Sequence, residues 1–82
     1  MNEPNSALPA VSGTLAKAGR AVRFWRRRRG LLPSELARRA GLSEDRLAQL
    51  EAGLVDPGLD QLDAIARVLK IKLVALFDEN ER

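Results

Sequence analysis

Apolar residues recur at three- and four-residue intervals over most of the chain and alternate nowhere for more than a few residues. That period predicts helices and no sheet. Leu15, Ala18, Val22 and Trp25 share one face of a first helix, which Thr14 can cap and which runs to about Arg29 before Gly30 stops it. Leu36, Ala37 and Ala40 face inward on a second, from about Pro33 to Ala40, with proline at a first position where its missing N–H costs nothing. Gly41 then supplies a left-handed turn, and Ser43 caps a third helix reaching about Ala52, with Leu47 and Leu50 inward. Asp56-Pro57-Gly58 reads as a turn. A fourth helix follows from about Leu59 to Leu69, burying Leu62, Ile65, Ala66 and Leu69, and after a break at Lys70-Ile71 a short fifth starts at Leu73 and ends near Phe77. The expectation is an all-α, compact five-helix bundle over residues 14–78. Residues 1–13 mix Pro, Ser, Asn and Gly without periodicity and are read as a flexible N-terminal tail, with 79–82 as a charged C-terminal tail.

Composition narrows the chemistry. The 82 residues contain no histidine and no cysteine, which removes the usual general bases, nucleophiles and thiolate or imidazole metal ligands. No catalytic residue, metal site, cofactor or small-molecule ligand is expected. No apolar run approaches the roughly 20 residues of a membrane span, and residues 1–13 lack a basic start followed by an apolar run. The expected compartment is the cytoplasm.

Charge is unevenly spread. Residues 14–40 hold nine basic side chains against Glu35 alone, a net +8, whereas residues 41–82 hold five basic and nine acidic ones, a net −4. A basic half of this kind suits a polyanion; an arginine-rich helix that is merely solvated, or pairs with the acidic half, is the alternative.

Pro33 to Glu51 combine two short amphipathic helices with a glycine turn between them, the pattern of a helix-turn-helix whose second helix enters the DNA major groove. Gly19, Val22-Arg23, Arg26, Gly30-Leu31, Glu35-Leu36-Ala37, Gly41-Leu42-Ser43, Leu47, Leu50-Glu51, Gly53, Pro57 and Leu59, followed by Leu62, Ile65-Ala66, Leu69, Ile71, Leu73 and Leu76-Phe77, stand without a gap at the spacings of one family. Over about residues 15–78 the chain resembles the Cro/phage-repressor (Xre-type) helix-turn-helix transcriptional regulators. The resemblance implies a lambda-repressor-like domain that binds double-stranded DNA, generally as a homodimer on a palindromic operator, and represses transcription by occluding it.

Carried over position by position, the resemblance assigns base contacts to Glu44, Asp45, Arg46 and Gln49. Gln49 is suited to adenine, Arg46 to guanine, and an acidic side chain to a cytosine amino group. Glu44 and Asp45 also have a purely structural reading, as acids at the positive end of a helix. Phosphate contacts are expected from Arg28, Arg29, Ser34, Arg38 and Ser43, because Pro33 stands where the family often has a polar clamp and Leu54 where it often has Lys or Arg. The resemblance further implies an ion pair between Arg26 and Glu51, and a dimer seam around Ile71, Val74 and Phe77. Trp25 is expected in the core and Phe24 at the surface. The alternative reading is a helix-turn-helix used as a protein-interaction module, adaptor or antitoxin-like, for which Pro33, Glu44, Asp45, Ala52 and Leu54 speak.

Overall fold

In the computed structural model of the protein, residues 4–77 are described, with side chains from Gly13 onward. Four α-helices and one 3-10 turn follow one another: α1 (Pro4–Arg28), α2 (Pro33–Ala40), α3 (Glu44–Glu51), α4 (Leu59–Leu69) and η1 (Leu73–Leu76). No strand occurs among the described residues. The expected fifth α-helix is therefore corrected to a 3-10 turn. Its bonds run from Ala75 N–H to the Lys72 carbonyl and from Phe77 N–H to that of Val74, an i to i+3 pattern. Four residues are too few to repay α-helix nucleation, and the turn still delivers Leu76 into the core with no exposed surface.

The first helix also starts earlier than expected. Pro4 opens α1, ten residues before Thr14, which consequently lies inside the helix and not at its cap. A proline at the first helical position is preorganised. Once the Ala18–Ala21–Val22 face is docked, extension towards the N-terminus costs little per residue. The tail expectation for residues 4–13 is thereby replaced by helix. For residues 1–3, and for the C-terminal tail at 79–82, it lies outside the described residues.

The core gathers Ala18, Ala21 and Val22 of α1, Leu36 and Ala37 of α2, Leu47 and Leu50 of α3, and Leu62, Ile65, Ala66 and Leu69 of α4, with Leu76 closing one end. Trp25 is half-buried against this cluster. Among the described residues no helix is long and apolar enough to cross a membrane.

Glycine sets the approach of α1 to α3. A Cβ on Gly19 would run into the Leu50 carbonyl oxygen, so only glycine lets the two backbones touch. Where α4 ends, by contrast, the left-handed residue is Lys70 (φ 60°), the single non-glycine with positive φ among the described residues. That conformation costs an L-residue about 1 kcal/mol or more. Lys70→Gly is expected to raise stability by about 1 kcal/mol, read as a midpoint shift in urea unfolding. A lower midpoint would mean that the lysine side chain holds the terminus in some other way.

Candidate nucleic-acid interface

Helix α3 is held at both ends. At its start Ser43 is extended (φ −75°, ψ 157°) and its Oγ accepts the Arg46 N–H at 3.0 Å, satisfying one of the helix's orphan donors. Glu44 and Asp45 sit exposed in the first turn, where the positive helix end favours acids. At its other end Glu51 is 8% exposed and receives Arg26 bidentately, Nε to Oε2 at 2.7 Å and Nη2 to Oε1 at 2.9 Å. Arg26 Nη1 also donates to the Leu31 carbonyl at 3.0 Å. One guanidinium thus ties α1, the end of α3 and the α1–α2 connection together. The Arg26 pKa is raised, above all by the hydrogen bond to Glu51; burial opposes the shift and attraction to the Glu51 charge adds to it.

Between these anchors Leu47, Leu50 and Glu51 turn inward, leaving Glu44, Asp45, Ala48, Gln49 and Ala52 exposed. At 100° per residue these five share one side of α3. Arg46 falls beyond the edge of that side, and its side chain follows the difference. Its Nη2 donates to Gln61 Oε1 at 3.2 Å and to the Asp56 carbonyl at 3.3 Å, while its buried Nε finds no acceptor among the described residues. Gln61 Oε1 also accepts the Gly58 N–H at 3.1 Å at the start of α4. Arg46, expected among the base readers, here fastens α3 to the α3–α4 loop. The withdrawal leaves Glu44 and Asp45 as the only charged side chains on the open side of α3. We expect Arg46→Ala to lower stability by about 1 kcal/mol and to speed amide exchange at Asp56–Gly58. Unchanged exchange there would detach Arg46 from the loop.

Helix α2 precedes α3 across the Gly41 turn. Leu32 caps it without a side-chain bond, and Glu35 Oε1 returns to accept the Leu32 N–H at 2.8 Å. Ser34 lies in the first turn, where its backbone N–H has no intrahelical acceptor. Ser34 and Arg38 are both exposed and stand four residues apart, on one side of α2. The turn to α3 is made by Gly41 (φ 76°), whose neighbour Leu42 donates to the Ala37 carbonyl at 2.8 Å.

The expected phosphate contacts Arg28 and Arg29 are placed elsewhere. The Arg28 guanidinium lies 5.6 Å from the Phe24 ring centre, on the outer side of α1. Arg29 reaches across to the end of α4, donating from Nε to the Leu69 carbonyl at 2.7 Å and from Nη2 to that of Lys70 at 3.4 Å. The last carbonyls of a helix are unpaired and carry its negative end, so a cation there satisfies both. Ser34, Arg38 and Ser43 are exposed on the helix-turn-helix. Of the expected dimer residues, Val74 is exposed, while Ile71 and Phe77 are half-buried against the core.

Sequence reasoning missed the Arg46–Gln61 tie. Gln61 carried half a signal, since a glutamine three residues after a helix cap commonly bonds back to it. Nothing local pointed to Arg46 as its partner.

Comparisons with known proteins bear on this arrangement. The family model described as Helix-turn-helix matches residues 22–76. The HTH-type transcriptional regulator SlrR of Bacillus subtilis (strain 168) is 33% identical over 61 residues, which are 73% of this chain and 40% of that protein. The chain thus spans less than half of that relative's length. The crystal structure of the hypothetical transcription factor NHTF from Neisseria superposes with a TM-score of 0.75 at 23% identity, covering 87% of this chain and 84% of the other. That likeness is one of fold.

Proposed function

The chain belongs to the Xre/Cro-type helix-turn-helix family, and from that premise we propose that it binds double-stranded DNA as a transcriptional regulator, with α3 in the major groove. The observation that carries the reading is the geometry of α2 and α3. A helix anchored at both ends presents Asp45, Ala48 and Gln49 outward, and α2 precedes it with Ser34 and Arg38 exposed. Gln49 is the principal base reader, able to bond an adenine bidentately. Ser34, its backbone N–H, Ser43 and Arg38 meet phosphates on either side. Glu44 and Asp45 lie where they would repel phosphates, so they are tolerated only against cytosine amino groups. This makes the operator half-site rich in C·G pairs and penalises other sequences.

The finer reading is a homodimeric repressor on a palindrome. Ile71, Val74 and Phe77 supply a compact apolar seam beside η1, and two-fold symmetry would set the α3 helices about one DNA turn apart. Two half-sites engaged together raise affinity well beyond that of one small domain.

Selection of bound duplexes from a random pool tests DNA binding, palindromy and spacing together. Gln49→Ala is expected to weaken the selected site by about 1–3 kcal/mol while sparing random duplex; equal losses on both would assign Gln49 to the backbone. Affinity for duplex should fall steeply with salt. A flat salt dependence would sink the DNA reading in favour of a protein-interaction module, which the acidic side chains and alanines on the open side of α3 would then serve.

A further inference from the structure

Two surfaces have no part in that reading. The first is on α1, where Arg20, Arg23, Phe24, Arg27 and Arg28 line an open depression of about 640 Å3. Helical spacing puts Arg23 and Arg27 on the side of α1 opposite the Ala18–Val22 face that enters the core, with Phe24 and Arg28 towards one flank, while the Arg20 side chain lies against Gly53. Phe24 is held in place there. Its ring meets Trp25 edge to face at 5.4 Å, and Arg28 lies over it at 5.6 Å. None of the four arginines pairs with a carboxylate among the described residues. Arginine stacks on aromatic faces and pairs carboxylates through a planar fork, so this depression is suited to an acidic surface that also carries an apolar group.

The second surface has those properties. At the start of α4, Leu59 is 62% exposed, and Asp60 and Asp63 flank it on the solvent side of the helix. Among the described residues Asp63 pairs with Arg67, at 2.9 Å, in an exposed i,i+4 pair, and such pairs exchange at little cost. Leu54, 75% exposed, lies in the loop just before.

We infer that they meet between molecules: the α1 depression of one copy receives the start of α4 of a second copy, Leu59 against Phe24 and Asp60 and Asp63 against Arg23 and Arg27. The contact is head to tail and not two-fold, so it leaves one free surface at each end and can add copies in line. It is small beside a stable dimer interface and hence weak. Its gain comes from covering the exposed Leu59 and the half-buried Phe24 and from paired charges, which salt screens. Duplex DNA could also approach these arginines, but phosphates offer nothing to Phe24 and leave Leu59 in water.

Sedimentation velocity of the full chain over rising concentration tests the inference without any ligand. At low salt the average mass should climb with concentration, and it should fall back in high salt. The double variants Arg23→Glu/Arg27→Glu and Asp60→Arg/Asp63→Arg should each weaken association at least tenfold. An equimolar mixture of the two should restore association, because the intact arginines of one variant meet the intact aspartates of the other and the two reversed surfaces are again opposite in charge. A merely misfolded variant would not be rescued by mixing; if the glutamates prevent folding, the Arg→Gln pair takes their place. Absence of any association, or association indifferent to both reversals, would overturn the inference, the second outcome pointing to a seam such as Ile71, Val74 and Phe77. Unchanged sedimentation with weakened binding of mixed-sequence duplex by Arg23→Glu/Arg27→Glu would overturn it too, assigning the arginines to phosphates.

Discussion

Gly19→Ala should destabilise the domain by about 3 kcal/mol. The new Cβ would press on the Leu50 carbonyl oxygen and stand 3.2 Å from its carbon and 3.7 Å from the Leu50 Cα. These are backbone atoms of α3 and cannot swing aside as a side chain would. Relief requires α1 and α3 to move apart, which loosens Leu47 and Leu50 in the core and stretches the Arg26–Glu51 pair two turns further along α1. The sign makes the test sharp. At an ordinary exposed helical position the same change stabilises by about 1 kcal/mol, because alanine is the better helix former. In a domain of this size the loss corresponds to a fall in Tm of about 15 °C, measured by circular dichroism. A raised Tm would mean that the helices lie further apart than the close approach at Leu50.

Glu51→Ala should cost a similar amount, about 3 kcal/mol, by a different route. It deletes two charge-assisted hydrogen bonds and leaves a guanidinium whose side chain is 9% exposed with only the Leu31 carbonyl as partner. A charge stranded in that way is worse than no charge, so Arg26→Met combined with Glu51→Ala should recover part of the loss. A double-mutant cycle in urea unfolding measures it, and additive losses would show that the two groups do not depend on each other. The pH dependence has a definite sign. Because Glu51 raises the Arg26 pKa in the folded state, the contribution is complete below the ordinary arginine range and is lost only as pH rises through the higher folded value. Stability supplied by Arg26 should therefore be flat from about pH 6 to 10. The DNA sequence preferred by Glu51→Ala should be unchanged, since the pair fixes α3 without facing outward.

Helices α2, α3 and α4 were legible because their signals are short-range. Apolar spacing, the Ser43 cap and the glycines at 41 and 53 act within a few residues, and the structure has left-handed Gly41 and Gly53 where the turns require them. The two ends of the fold were less legible. Helix α1 has no acidic residue in its first turn to mark its start. At η1 the same apolar period served a 3-10 turn, since burial of Leu76 needs only one inward position.

Side-chain roles divided along the same line. The helix-turn-helix pattern and its family were determined by the sequence itself, because periodicity, caps and turn residues fix local conformation, and the order of helices leaves few ways to bury the apolar faces. What Arg29 and Arg46 do was decided only by tertiary structure. Each is an arginine beside the motif, indistinguishable in one dimension from a phosphate or base contact. Yet Arg29 ends on the α4 carbonyls 40 residues away, and Arg46 on Gln61 15 residues away. A long cation is captured by whichever unpaired acceptor packing brings within reach, and that competition exists only once the helices are assembled.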